Sequence, residues 1–214
     1  MVRDQLRARG ITDEAVLAAM GQVPRERFLP LGLRDRAYAD GAQSIGHGQT
    51  ISQPFIVARM TQALRLDVWR RTHPGAVPKV LDVGTGSGYQ AAVLAAMGVW
   101  VTTIERDPEL SARAMATLAA LGITVRGVVG DGGEGHPPDA PFAGIVVAAA
   151  APDVPPPLID QLADDGRLVI PIGPPERQEL TLLVREGDRV VRRELEPCAF
   201  VPLLGRYGQR PDRG

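Results

Sequence analysis

The sequence predicts a three-layer α/β sandwich with a mostly parallel sheet, preceded by a helical extension. Three observations carry this prediction. From Lys79 onward, short β-branched apolar runs alternate with helical stretches, as expected of strands joined by crossover helices. The first run, Lys79–Val83, passes directly into Gly84-Thr85-Gly86-Ser87-Gly88 and a helical pattern over Tyr89–Met97. The alternation ends in two extended runs, Leu180–Arg185 and Arg189–Leu195, around Glu186-Gly187-Asp188, which reads as a hairpin added at one side.

In chain order, Arg3–Arg9 and Asp13–Met20 have helical character, with Thr12 placed to cap the second and Val16, Leu17 and Met20 as its apolar stripe. Val23–Pro30 is a turn between prolines, and Tyr38-Ala39-Asp40 opens a polar, glycine-bearing loop. Gly48-Gln49-Thr50-Ile51-Ser52-Gln53-Pro54 sets two hydroxyls and two amides directly before an amphipathic helix, Phe55–Leu66. The heptad reads equally as an ordinary helix start, for which Pro54 suits the first turn. Asp67–Pro78 reads as a polar connector, with Trp69 as a packing residue. Later strands are expected at Val99–Ile104, with Trp100 packed, and at Thr124–Val129, Gly144–Ala149 and Arg167–Ile172. Helices are expected from Pro108 to about Leu121 and over Leu158–Leu162, the latter broken at Gly166, and Phe200–Leu204 closes the pattern as an extended run. No internal repeat is visible.

Composition narrows the function classes. A length of 214 residues, 44% hydrophobic, suits one domain with a sizeable core. A formal net charge of −1 gives no basic surface for nucleic acid or anionic lipid, and no apolar stretch approaches a membrane span. The single cysteine, Cys198, excludes an intrachain disulfide and reads as a small buried thiol. His47, His73 and His136 show no metal-ligand spacing and read as solvated loop residues; Arg70-Arg71 and Arg192-Arg193 read as solvated faces. No metal is expected, and the cytoplasm is the default location.

The chemistry gathers at the strand ends. A dinucleotide fingerprint would require a third glycine where Tyr89 stands; the spacing is instead Asp82-x-Gly84-x-Gly86-x-Gly88, with an acidic residue inside the strand end. The second strand ends at Glu105, able to accept ribose hydroxyls, and the third at Gly130-Asp131-Gly132. This succession resembles the Rossmann-like S-adenosylmethionine (SAM) methyltransferases, and the resemblance implies a SAM site.

Longer motifs narrow the resemblance. The motifs Gln5-Leu6-x-x-Arg9-Gly10-Ile11, Val23-Pro24-Arg25-Glu26-x-Phe28, the 48–54 heptad, Gly84–Ala92, Ile104-Glu105-Arg106, Gly130-Asp131-Gly132, Gln161-Leu162 through Gly166-Arg167-Leu168 and Phe200-Val201-Pro202-Leu203 are similar, nearly end to end, to the bacterial protein-L-isoaspartate O-methyltransferases. The resemblance implies a single methyltransferase domain over 1–214, with 1–78 as helical and substrate-loop extension and 79–214 as SAM-binding core. It implies Ser52 as the active-site hydroxyl, with Gln49, Thr50 and Ile51 beside cofactor and substrate. Asp82, Gly84, Thr85, Gly86, Gly88, Glu105, Asp131 and Gly132 would bind SAM, with Gln209 as an additional contact. The implied partners are isoaspartyl proteins or peptides, met by a monomer with no nucleic-acid or membrane partner. Three departures stand out: Gln43-Ser44-Ile45-Gly46 where the family has Leu-Pro-Ile-Gly, Phe142-Ala143-Gly144 without an aspartate after the aromatic, and a longer connector near Trp69–His73. The first lies beside the heptad and bears on acceptor choice. Two alternatives therefore stay open: a biosynthetic enzyme that methylates an aspartate of one dedicated peptide to form an aspartimide, and a non-catalytic SAM-binding protein.

Overall fold

A computed structural model describes residues 1–209. The N-terminal segment begins with a wide turn at Val2–Leu6 and a tighter one at Arg7–Arg9, which stop at Gly10 in the left-handed region (φ 91°). Helix α1 (Glu14–Gln22) is capped by Asp13, whose carboxylate accepts the N–H groups of Ala15 (2.9 Å) and Val16 (3.2 Å). Thr12 is not the cap; its N–H, like that of Asp13, donates to the Gln62 side chain. An acidic cap one residue later complements the helix dipole better than a hydroxyl. The expected stripe of Val16, Leu17 and Met20 is buried.

The polar loop contains a two-stranded antiparallel hairpin, β1 (Gln43–Gly46) and β2 (Gln49–Ile51). His47 and Gly48 turn it with φ of 55° and 68°, the backbone that a two-residue hairpin loop requires. Helix α2 (Pro54–Ala63) starts at the proline, but the expected helix to Leu66 divides where Arg65 adopts φ 47°. Part of the connector is therefore a helix, α3 (Leu66–Thr72), in which Trp69 is buried and stacked on His73 at 4.2 Å.

The strands β3 (Lys79–Val83), β4 (Trp100–Glu105), β5 (Arg126–Val129), β6 (Phe142–Val147), β7 (Leu162–Ile172), β8 (Gln178–Glu186) and β9 (Arg189–Cys198) form one sheet in the order β5-β4-β3-β6-β7-β8-β9. The first five are mutually parallel where they pair, and β8 and β9 are antiparallel additions. Helices α4 (Tyr89–Ala96), α5 (Pro108–Ala120) and α6 (Pro156–Asp160) lie in the crossovers. Successive residues of β3 point to opposite faces: Val80 joins an apolar layer with α1, α2 and α4, whereas Leu81 and Val83 join the layer with Ile145, Ile170 and Leu158. Sequence order reverses between β3 and β6, so a crevice opens beyond their carboxyl ends.

Several local expectations are corrected. Helix α6 ends at Asp160, and β7 begins at Leu162 with a bulge before Arg167, where Asp165 has φ 59° and a Cβ on Gly166 would meet the Ala163 and Phe142 carbonyls. Trp100 is 55% exposed, because it pairs with the exposed Lys79 at the open rim of the sheet. The histidines are not simply solvated: His47 Nδ1 lies 2.9 Å from Asp107, His73 stacks on Trp69, and His136 is largely enclosed 3.6 Å from Asp139. Arg70 turns inward and donates to the Met97 carbonyl at 2.7 Å.

Candidate active site

Beyond the ends of β3 and β4 lies a cavity of about 370 Å³, a size suited to a small-molecule ligand. Its floor is the glycine loop. Gly84 and Gly86 have φ of 93° and 53°, and Gly84 lies beside Ala148 after β6, which donates its N–H to the Val83 carbonyl at 2.8 Å. The N–H groups of Gly84 and Thr85 both donate to the Ile104 carbonyl, locking the loop to β4.

Glu105 reaches this wall from the end of β4. One carboxylate oxygen accepts the Gly86 N–H at 2.9 Å and the other accepts the Asp107 N–H at 3.1 Å. A carboxylate offers about four lone-pair sites, so these bonds leave capacity for a ligand hydroxyl. Glu105 therefore shapes the loop and lines the cavity.

Asp82 stands behind the wall. It is fully buried; the Thr103 hydroxyl donates to one of its oxygens at 2.8 Å, and Thr85 Oγ1 lies 2.6 Å from Thr103 Oγ1. Because Thr103 donates to Asp82, Thr85 donates to Thr103, and the chain Thr85–Thr103–Asp82 connects the cavity wall to a buried carboxyl. Burial pushes the Asp82 pKa up to about 7; the Thr103 bond opposes the rise and the nearby negative Glu105 adds to it. The second Asp82 oxygen has no hydrogen-bond partner among the described residues.

The opposite wall comes from the hairpin. Gln49, Thr50, Ile51 and Ser52 all line the cavity, as do Gly84, Thr85, Gly86, Glu105 and Gly132. No side chain caps α2, so Ser52 is not the ordinary helix cap that its position before Pro54 also suggested. Asp82, Gly88, Asp131 and Gln209 do not line the cavity. Gly88 starts α4 with φ 89°, and a Cβ there would press on Leu118 and Ala114 of α5, so α4 and α5 pack closely at this point. Asp131 caps the turn Gly132–Glu134 through the Gly133 N–H (2.9 Å) and accepts the Arg206 N–H at 2.7 Å. The Gln209 N–H donates to the Leu203 carbonyl at 2.7 Å. The Gln209 bond ties down the strap Pro197–Leu204, which forms a third wall, and the Asp131 bond holds the turn just after it.

The sequence motifs do not mark that strap or Tyr89 as site residues, although both line the cavity. The Phe200–Leu203 motif was visible, but nothing in its spacing tells that it folds back over the strand ends. Cys198 lines the cavity too; burial, then the charges of Glu179 and Glu196, push its thiol up to about 12, so it is a neutral wall residue. Among the described residues no group of three or more His, Cys, Asp or Glu is placed to hold a metal.

A mostly parallel sheet in this order, with a glycine loop, an acidic second-strand end and one cavity at the switch point, defines a Rossmann-like methyltransferase. Residues 1–208 match the family model described as Protein-L-isoaspartate(D-aspartate) O-methyltransferase (PCMT). The protein-L-isoaspartate O-methyltransferase of Methanoculleus marisnigri is 51% identical over 209 residues, covering 97% of this chain and 91% of the relative. That of Methylorubrum extorquens is 54% identical over 209 residues, covering 97% and 88%. A Plasmodium falciparum protein assigned to the same activity, crystallised in complex with S-adenosyl-L-homocysteine (SAH), superposes with a TM-score of 0.77 at 27% identity over 95% of this chain and 96% of that one. The chain belongs to the protein-L-isoaspartate(D-aspartate) O-methyltransferase family.

Proposed function

We propose that this protein transfers a methyl group from SAM to the free α-carboxylate of L-isoaspartyl residues in damaged proteins. The observation that carries the reading is the meeting of the Gln49–Ser52 wall with the glycine loop and Glu105 around one cavity. SAM fits these residues: glycines without Cβ atoms leave the backbone open to the ligand, and Glu105 retains acceptor capacity for ribose hydroxyls. When bound, SAM supplies an electrophilic methyl group on a sulfonium.

The protein's own residues have a limited task. An α-carboxylate with a pKa of about 3.5 is already ionised at neutral pH, so no general base is required. Ser52 orients the acceptor carboxylate by donating a hydrogen bond, and Gln49 and Thr50 of the preceding strand β2 line the cavity beside it. The strap Pro197–Leu204 and the apolar Ile51 exclude water from the acceptor. Glu105 and the Thr85–Thr103–Asp82 chain keep the loop in shape beneath SAM. The methyl ester formed is a better acyl donor than the carboxylate: the neighbouring amide nitrogen attacks its carbonyl carbon, the bond to the methoxy oxygen breaks, and methanol, carrying the amide proton, leaves behind a succinimide without further help.

The Gln43-Ser44 departure is compatible with a general repair enzyme rather than a dedicated one. Gln43 Nε2 donates to the Arg36 carbonyl and the Ser44 hydroxyl accepts the Gly46 N–H at 3.3 Å, so both side chains bond to nearby backbone, although Gln43 Oε1 has no hydrogen-bond partner among the described residues. The reading includes a cytoplasmic monomer acting on protein or peptide acceptors; among the described residues no helix is long and apolar enough to cross a membrane. The test is incubation with methyl-labelled SAM and a synthetic isoaspartyl peptide. Base-labile label on the peptide is expected, and its absence from a folded, SAH-binding protein would reject the proposal.

A further inference from the structure

Arg25 is a fully buried arginine beside the candidate site but not on its wall. Its Nε–H donates to the Ala37 carbonyl at 2.7 Å and Nη2 donates to the Ser52 carbonyl at 2.8 Å. The guanidinium lies over the Tyr89 ring, with Cζ 4.8 Å from the centroid. Nη1 has no hydrogen-bond partner among the described residues, and no Asp or Glu among them lies within 4.0 Å to form an ion pair. Burial lowers the guanidinium pKa, and its favourable neighbours are the phenols of Tyr89 and Tyr38 rather than a carboxylate.

An unpaired buried cation is a poor way to stabilise a fold, since a neutral side chain of similar volume avoids the desolvation cost. What the planar fork does supply is direction. It joins three segments: the loop that runs from Ala37 to the cavity-lining Ala42, the heptad at Ser52, and Tyr89 at the first turn of α4, the last two on the cavity wall. A lysine ammonium at the same place carries the charge but cannot present two divergent N–H groups in a fixed plane.

We infer that Arg25 is a positioning residue for the acceptor: it fixes the Ser52 backbone against Tyr89 and the glycine loop, so that the Ser52 hydroxyl is held toward the acceptor carboxylate. The inference rests on the reading of Ser52 given above. It makes Arg25 act on turnover through Ser52, with SAM binding left to Glu105 and the glycine loop.

The experiment is a double-mutant cycle of Arg25→Lys and Ser52→Ala, read as kcat and KM with an isoaspartyl peptide and as Kd for SAH. Arg25→Lys should lower kcat about tenfold or more while the SAH Kd stays within about threefold. In the Ser52→Ala background the same change should alter kcat by less than about threefold, because the group it positions is already gone. Equal losses in both backgrounds, an unchanged kcat in Arg25→Lys, or an SAH affinity that falls as far as kcat would overturn the inference. If Arg25→Lys does not fold, arginine-labelled wild-type protein gives the answer by nuclear magnetic resonance. The Arg25 Nη2–H that meets the Ser52 carbonyl should be protected from exchange in the SAH complex and should shift on addition of isoaspartyl peptide; free exchange or indifference to the peptide overturns it. Wild-type protein that does not methylate isoaspartyl peptides rejects the functional reading and this inference with it, whereas active wild type with a fully active Arg25→Lys rejects this inference alone.

Discussion

Replacing Asp82 by asparagine should change how the stability of the ligand-free protein depends on pH. Asp82 is fully buried, with a pKa raised from 3.8 to about 7 by burial. Between these values the folded state keeps a proton that the unfolded state releases, so stability falls as pH rises through the window and levels off above about pH 7. An interval of this width, at about 1.36 kcal/mol per pH unit, corresponds to roughly 4 kcal/mol at most. Asparagine preserves an acceptor oxygen for the Thr103 hydroxyl, 2.8 Å away, and cannot ionise. Urea unfolding of wild type and Asp82→Asn at about pH 5 and about pH 8 isolates the contribution, because every other titrating group is common to both. The wild type should lose on the order of 2–4 kcal/mol more than the variant across that range. Parallel losses in the two proteins would refute the argument and mean that the ionised Asp82 is compensated.

Glu105→Ala frees the Gly86 and Asp107 N–H groups and removes the carboxylate from the cavity wall, so SAH affinity by calorimetry should fall by about 1–3 kcal/mol; an unchanged Kd in a folded variant removes Glu105 from the site. Ser52→Ala should lower kcat with little change in SAH affinity, and full turnover would reduce the hydroxyl to a bystander. In Gly132→Ala the new Cβ collides with Val83, so a loss of about 1–3 kcal/mol in stability is expected in urea unfolding, with no change if the turn relaxes freely. Because burial pushes Cys198 up to about 12, native protein at pH 8 should react with iodoacetamide far more slowly than unfolded protein; equal rates would mean an accessible thiol.

Local chemistry made the core of the fold legible. Lys79–Val83, the glycine turn and α4 are one continuous strand–turn–helix signal, and they form as expected. Helix α3 was hidden because the break before it is Arg65 in a left-handed conformation, a position usually marked by glycine. The β1–β2 hairpin was hidden because its strands are short and polar, with too little alternation to separate from a loop. Within the site, residues near one another in sequence, Gln49–Ser52 and Gly84–Gly86, were found as a group on the cavity wall. The bonds that Asp131 makes to Arg206 and Gln209 to Leu203 are not legible in the sequence, since they depend on a segment that folds back beside the strand ends. Arg25 was visible only as a motif letter, because burial and two long-range carbonyl bonds give it its meaning.

The central claim is that the acceptor is an isoaspartyl α-carboxylate, recognised through the main-chain kink it creates. It is tested most directly by competition between two synthetic peptides of identical sequence, one with isoaspartate and one with aspartate, incubated with the protein and SAM and read by mass spectrometry. Methylation of the isoaspartyl peptide alone, repeated across several unrelated sequences, is the predicted result. Preference for the aspartyl peptide, confined to one sequence context, would contradict the account and identify a dedicated acceptor instead.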